Sequence, residues 1–273
     1  MSRIDFEKVG PVAQVGINSP ETKNALANDL MVELGKVWDL CENDDEIRVV
    51  ILYSALNDIF CSGMDIKDSI PVLNGQRPPV TENEKYLYDE SNDFAGFAKV
   101  MLKIRTLYKP IIAAINGMCL TGGFEMAQAC DLRIGTVDSK YMAKETQLGI
   151  QPMSGGNINL PYIIGHGRAM EMNLTGDAYP ANTMLEWGFL NKVCPDKETM
   201  MQEAMKLAER LAANGPMSQR GICRLNKESR GLPLEQAYAK EIEIALPVFR
   251  GGDPVEGIQA MFERRKPVYP DKR

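Results

Sequence analysis

Two glutamates stand where local backbone geometry could aim them at a reacting carbon. Glu125 follows Asn116-Gly117-Met118-Cys119-Leu120-Thr121-Gly122-Gly123-Phe124, a strand pattern running through paired glycines into a helix start. Glu145 closes Tyr141-Met142-Ala143-Lys144, ahead of Leu148-Gly149-Ile150-Gln151-Pro152-Met153-Ser154-Gly155-Gly156. Glycines let the backbone approach a ligand closely, and the free N–H groups of a helix start favour negative charge. The glycine pair is therefore a candidate oxyanion site, with Glu125 one turn into the helix beside the reacting atoms. The same pair would serve close packing of helix on strand, and this segment alone leaves both readings open.

A third segment, Phe60-Cys61-Ser62-Gly63-Met64-Asp65-Ile66-Lys67, places a glycine turn after a buried strand. The chain has a single histidine, His166, in a glycine-flanked stretch read as a loop. Zinc sites, Ser-His-Asp triads and Cys-His pairs all lean on histidine, so chemistry here falls to carboxylates, backbone donors or lysine, and no metal is expected. The six cysteines lack CxxC spacing and read as buried small hydrophobes, and the sixteen methionines read as core and pocket filling.

The elements around these segments follow from hydrophobic period. Ile4–Val9 and Val12–Ile17 alternate around Gly10-Pro11 as a hairpin, and Leu30, Leu34, Val37, Trp38 and Cys41 recur at helical spacing behind Asn28 as N-cap. Residues 48–53, 111–115 and 132–137 are apolar runs of the kind buried on both faces. Residues 54–81 read as irregular, broken by glycines and prolines. Residues 82–107 read as one helix with Phe94, Phe97, Val100, Met101, Ile104 and Leu107 on a face. After residue 195 strand patterns cease, and helices over 198–213, 216–230, 233–249 and 254–264 follow. This predicts an α/β core over 1–195 carrying the site and a helical region over 196–273.

Composition bounds the function. With 44% hydrophobic and 25% charged residues the chain is of globular type, and a net charge of −6 argues against a general nucleic-acid binder. The start has no signal-peptide pattern and no apolar run approaches membrane-spanning length, so a cytoplasmic, non-membrane protein is expected.

Taken in order, the three segments resemble the crotonase (enoyl-CoA hydratase/isomerase) superfamily. Its members share a glycine turn after one strand, a Gly-Gly-x-Glu helix start, and a later Glu before a Pro-x-x-Gly-Gly stretch. The resemblance extends to Asn24-Ala25-Leu26, Leu174-Thr175-Gly176 and Phe262-Glu263-Arg264-Arg265-Lys266-Pro267. It implies a spiral core of ββα units with a C-terminal helical subdomain. It also implies an acyl-CoA substrate, no cofactor beyond the CoA within that substrate, and a homotrimer or dimer of trimers.

Carried over by position, the oxyanion donors are the backbone N–H groups of Met64 and Gly122, and the proton-handling carboxylates are Glu125 and Glu145. Lys23, Ala25, Asp65, Ile66 and Lys67 fall near the CoA moiety. Phe262 and Arg265 fall where the family reaches a neighbouring subunit's CoA, with the 196–273 region closing that pocket. The resemblance implies hydration of an α,β double bond. Δ3-Δ2 isomerisation, or a non-catalytic scaffold role, are the alternatives.

This chain departs from the commonest pattern at Thr121, in place of a glycine, and at Met64, in place of a small residue. It also departs in a long, proline-rich 68–92 stretch and at Asn157 and Asn159. Residues 151–157 contain no carboxylate, which disfavours relatives that place an aspartate there.

Overall fold

The computed structural model describes residues 3–103 and 106–269. The chain opens with the expected hairpin, β1 (Ile4–Val9) against β2 (Val12–Ile17), in register from Ile4 opposite Ile17 to Val9 opposite Val12. Helix α1 (Asn28–Asn43) follows, and its N-cap is Ala27 rather than Asn28. Asn28 is already helical, and its side chain serves as acceptor for the Tyr88 hydroxyl at 2.7 Å instead of capping.

Three strand-strand-helix repeats then build the core. They are β3 (Val49–Ser54), β4 (Ile59–Cys61) and α2 (Ile66–Leu73), then, after α3 (Glu82–Leu87) and α4 (Ala95–Val100), β5 (Ile111–Ile115), β6 (Met118–Leu120) and α5 (Thr121–Ala129). The third is β7 (Leu132–Thr136), β8 (Lys140–Met142) and α6 (Gly156–Ile164). Each repeat gives its first strand to a six-stranded sheet ordered β1-β2-β3-β5-β7-β10. Its second strand goes to a four-stranded sheet ordered β4-β6-β8-β9. The successive repeats pair in parallel in both sheets, which is the spiral of ββα units. Helix α7 (His166–Thr175), β9 (Tyr179–Pro180), α8 (Ala181–Glu186) and β10 (Lys192–Cys194) complete the two sheets.

Strand alternation sorts the core into two layers. Val50 and Leu52 of β3, with Ile111, Ala113 and Ile115 of β5, face the larger core that also holds Phe60, Cys119, Phe124 and Tyr141. Val49, Ile51, Ile112 and Ala114 face the other way, onto α9 (Lys197–Ala212). That helix presents Met200, Ala204, Ala208 and Ala212 at four-residue spacing, and the small alanines let it lie close on the sheet. Helices α10 (Pro216–Glu228), α11 (Leu234–Phe249) and α12 (Gly252–Glu263) pack on one another as a further layer. That layer leaves Ile222, Leu234, Ile242, Phe249 and Phe262 exposed. All six cysteines are free and buried.

Three further local expectations are corrected. Residues 54–81 are not irregular throughout, since they contain β4 and α2; Asp65 caps α2 by accepting from the N–H groups of Lys67 (3.0 Å) and Asp68 (3.4 Å). Residues 82–107 do not form one helix. Asp93 and Phe94 take φ of 49° and 55°, left-handed backbone that separates α3 and a short 3₁₀ turn from α4; Ile104 of that expectation lies outside the described residues. His166 is the exposed first residue of α7, not a loop residue.

Candidate active site

Helix α5 carries Glu125 into the interior, where the residue is 4% exposed. Its Oε1 accepts from the backbone N–H groups of Ser154 and Gly156, both at 2.8 Å. The loop ahead of α6 can close this tightly because Gly156 has no side chain: a Cβ there would lie 3.0 Å from both Cγ and Oε1 of Glu125. Burial raises the Glu125 carboxyl above its ordinary range, and the two N–H groups together with the Lys103 charge pull it partly back.

Glu145, in a 3₁₀ turn over Lys144–Leu148, is equally buried, and its Oε2 has no hydrogen-bond partner among the described residues. Burial pushes its carboxyl up to about 7. A hydrogen bond from its own backbone opposes this, and the nearby Glu125 charge adds to it. Two carboxyls close enough to feel each other, one with an oxygen satisfied by fixed donors and one with an oxygen free, suit opposite proton roles near neutral pH.

The glycine turn after β4 and the start of α5 meet beside this pair. Gly63, at φ 99°, turns the chain so that its carbonyl accepts from Leu26 N–H at 2.7 Å while Asp65 N–H donates to Leu26 O at 3.2 Å. In such a parallel bridge the intervening Met64 directs its own N–H to the other side. That side is occupied by Gly122, the second residue of α5, whose N–H lies among the helix's unpaired initial donors. A Cβ built on Gly122 would come 3.4 Å from Met64 N. Neither N–H makes a hydrogen bond within the described residues, so two backbone donors on separate ββα units lie close together without partners.

Of the remaining expected residues, Lys23 takes left-handed backbone (φ 55°) and its carbonyl accepts from Ser62 N–H at 3.3 Å, while Ala25 is buried. Asn24 between them is fully buried and donates to Ile17 O, Ser54 Oγ and Phe60 O, which ties this segment to β2, β3 and β4. Asp65 caps α2, and Ile66 and Lys67 open that helix as exposed residues. Phe262 and Arg265 sit in the C-terminal layer: Phe262 is 77% exposed, and Arg265 forms ion pairs with Glu256 and Glu263. The structure thus gathers Glu125, Glu145, Met64, Gly122 and the 23–25 segment, and leaves the last two occupied within or exposed on the tail.

Sequence reading missed the donors that cradle Glu125, the N–H groups of Ser154 and Gly156. The Gly155-Gly156 pair was the only signal for them. Among the described residues no group of three or more His, Cys, Asp or Glu side chains is arranged to hold a metal ion, and no helix is long and apolar enough to cross a membrane.

The Enoyl-CoA hydratase/isomerase family matches residues 7–272. The chain is 32% identical to the enoyl-CoA hydratase EchA19 of Mycobacterium tuberculosis over 97% of its length and 96% of that protein's. It is also 32% identical to the short-chain-enoyl-CoA hydratase of Clostridium acetobutylicum, over 97% of each. The crystal structure of an enoyl-CoA hydratase from Bacillus anthracis superposes with a TM-score of 0.84 at 30% identity, over 98% of both chains. With the spiral of ββα units and a family match along nearly the whole chain, this protein is an enzyme of the enoyl-CoA hydratase/isomerase family, the crotonases.

Proposed function

We propose that this enzyme adds water across the α,β double bond of an enoyl-CoA thioester, using Glu125, Glu145 and the Met64 and Gly122 N–H groups. The observation that carries the reading is the pair of buried glutamates, both raised above the ordinary carboxyl range, beside two converging backbone donors. Glu125, whose Oε1 is held by two N–H groups, stays ionised more readily and takes the proton from water as the oxygen bonds to the β-carbon. Negative charge then passes through the conjugated system to the thioester oxygen, where Met64 and Gly122 donate to it. Such donors typically lower the barrier by about 3–4 kcal/mol each. Glu145, raised to about 7 with Oε2 free, delivers the proton to the α-carbon.

The segment 23–25 and residues 65–67 flank the donor turn and are assigned to the CoA moiety. A homotrimer or dimer of trimers, which the family resemblance implies, would cover exposed apolar residues of α10–α12. In that assembly Phe262 and Arg265 act across a subunit boundary, Arg265 exchanging its carboxylate partners for a CoA phosphate. The Clostridium acetobutylicum relative is a short-chain-enoyl-CoA hydratase, and short-chain enoyl thioesters belong in the test panel.

The test follows loss of the conjugated-thioester absorbance over short, long and branched enoyl-CoAs, with wild type and Glu125→Gln. Hydration by wild type, with turnover lower by roughly 10²–10⁴-fold in the variant, supports the reading. Near-normal hydration by Glu125→Gln refutes the role given to Glu125, and a wild type that moves the double bond without adding water refutes the hydratase reading and leaves Δ3-Δ2 isomerisation in its place.

A further inference from the structure

Thr121 stands between the two donor-bearing turns and is held in a conformation that threonine avoids. Its φ is 44°, left-handed backbone that costs a β-branched residue more than any other kind. Its Oγ1 donates to Ser62 O at 3.3 Å, and a Cβ built on Gly63 would fall only 1.6 Å from that Oγ1. The hydroxyl is therefore seated directly against Gly63 Cα, one residue before Met64, while the next N–H along the chain is that of Gly122. On its far side Ser62 is fixed in turn, its N–H and Oγ both donating at 3.3 Å, to Lys23 O and Thr22 O. One side chain thus spans the 62–64 turn and the 121–122 peptide. A strained residue persists only where its surroundings over-determine it, and here the surroundings are the Ser62 carbonyl and Gly63, on the turn that leads into Met64.

We infer that Thr121 is a positioning residue whose hydroxyl clamps the Gly63–Met64 turn to the start of α5 and so sets the spacing of the two N–H donors. The inference rests on the oxyanion role proposed above for those donors. It has a consequence that a merely structural threonine would not share: replacement by glycine should lower turnover without lowering stability. Glycine takes φ 44° freely and removes the backbone strain, yet it removes the clamp.

The experiment compares wild type, Thr121→Gly and Thr121→Ser by three readouts. These are kcat and KM for enoyl-CoA hydration, the red shift of bound cinnamoyl-CoA, which reports polarisation of the conjugated carbonyl whether or not water is added, and thermal unfolding. The expected result for Thr121→Gly is an unchanged or raised melting temperature, a smaller red shift, and kcat lower by roughly ten-fold with KM within two-fold, the scale of a sub-ångström misplacement. Thr121→Ser, which keeps the hydroxyl, should recover most of the red shift and of kcat.

Equal red shift and equal kcat in wild type and Thr121→Gly overturn the clamp and leave the hydratase reading standing. A wild type that polarises cinnamoyl-CoA but hydrates nothing overturns the hydratase reading, and the red shifts of the variants still decide the clamp. Absence of any red shift in bound wild type overturns both.

Discussion

Replacing Glu145 by glutamine removes a titrating group from a place where burial holds its carboxyl up to about 7, against an ordinary value of 4.5. The folded protein therefore keeps this proton to higher pH than the unfolded chain does. Between those two values the native state binds more protons, so its stability falls as pH rises from about 4.5 to about 7 and is level outside that window. The shift corresponds to about 3 kcal/mol. Glutamine cannot titrate, so that slope disappears from the variant. Its amide will carry a fixed cost of its own at a site where Oε2 already lacks a partner, but this offset is constant with pH. Glu125 titrates in both proteins, but the two carboxyls feel each other's charge, so the difference between the proteins reports the titration of the pair. Urea unfolding of both, at one protein concentration and several pH values from 4 to 8.5, should show Glu145→Gln gaining on wild type by about 3 kcal/mol across the window, even as it loses turnover. A stability difference that does not change with pH would refute the claim that Glu145 is held protonated by burial.

Gly156→Ala should place a methyl 3.0 Å from Glu125 Cγ and Oε1, lowering stability by roughly 1–3 kcal/mol and turnover with it; a variant with unchanged melting temperature and kcat would show that the loop yields freely. Met64→Ala keeps its N–H, so turnover should survive while the chain-length profile shifts by about 1–3 kcal/mol of discrimination, read by kcat/KM over a homologous enoyl-CoA series; an unchanged profile counts against Met64 as an acyl-pocket wall. Deleting residues 258–273 should weaken both assembly in light scattering and affinity for CoA esters, and a fully active monodisperse monomer would remove the proposed role of that region.

What could be read in the sequence was set by where the cause of each feature lies. The buried strands were legible because β3 and β5 are covered on both faces, and a run such as Val49-Val50-Ile51-Leu52 has few other uses. The break between α3 and α4 was hidden because Phe94 looks like a helix-face residue, and nothing local announces that Asp93 and Phe94 are left-handed. Helix α2 was masked by Pro71, which composition counts as a breaker although the Asp65 cap sustains the turns before it. At the site, Glu125 and the glycine pair were visible as residue types at a fixed spacing. The raised carboxyl of Glu145 depends on burial, and the cradle on Glu125 is made of backbone atoms from a segment 29–31 residues away. Neither has a side-chain signature that a single sequence displays.

The bridge at Leu26 joins two parts of the enzyme that are usually discussed apart. Its N–H and carbonyl grip the chain on either side of Met64, while Lys23, three residues earlier, holds Ser62. The stretch proposed to hold the CoA is thus bonded to the peptide proposed to meet the reacting oxygen. Attraction felt far from the carbon undergoing chemistry can therefore tighten the grip on the thioester itself. A short pantetheine thioester, lacking the nucleotide end, would then suffer in its maximal rate as well as in its affinity, because part of what drives the step is drawn from atoms that never change their bonds.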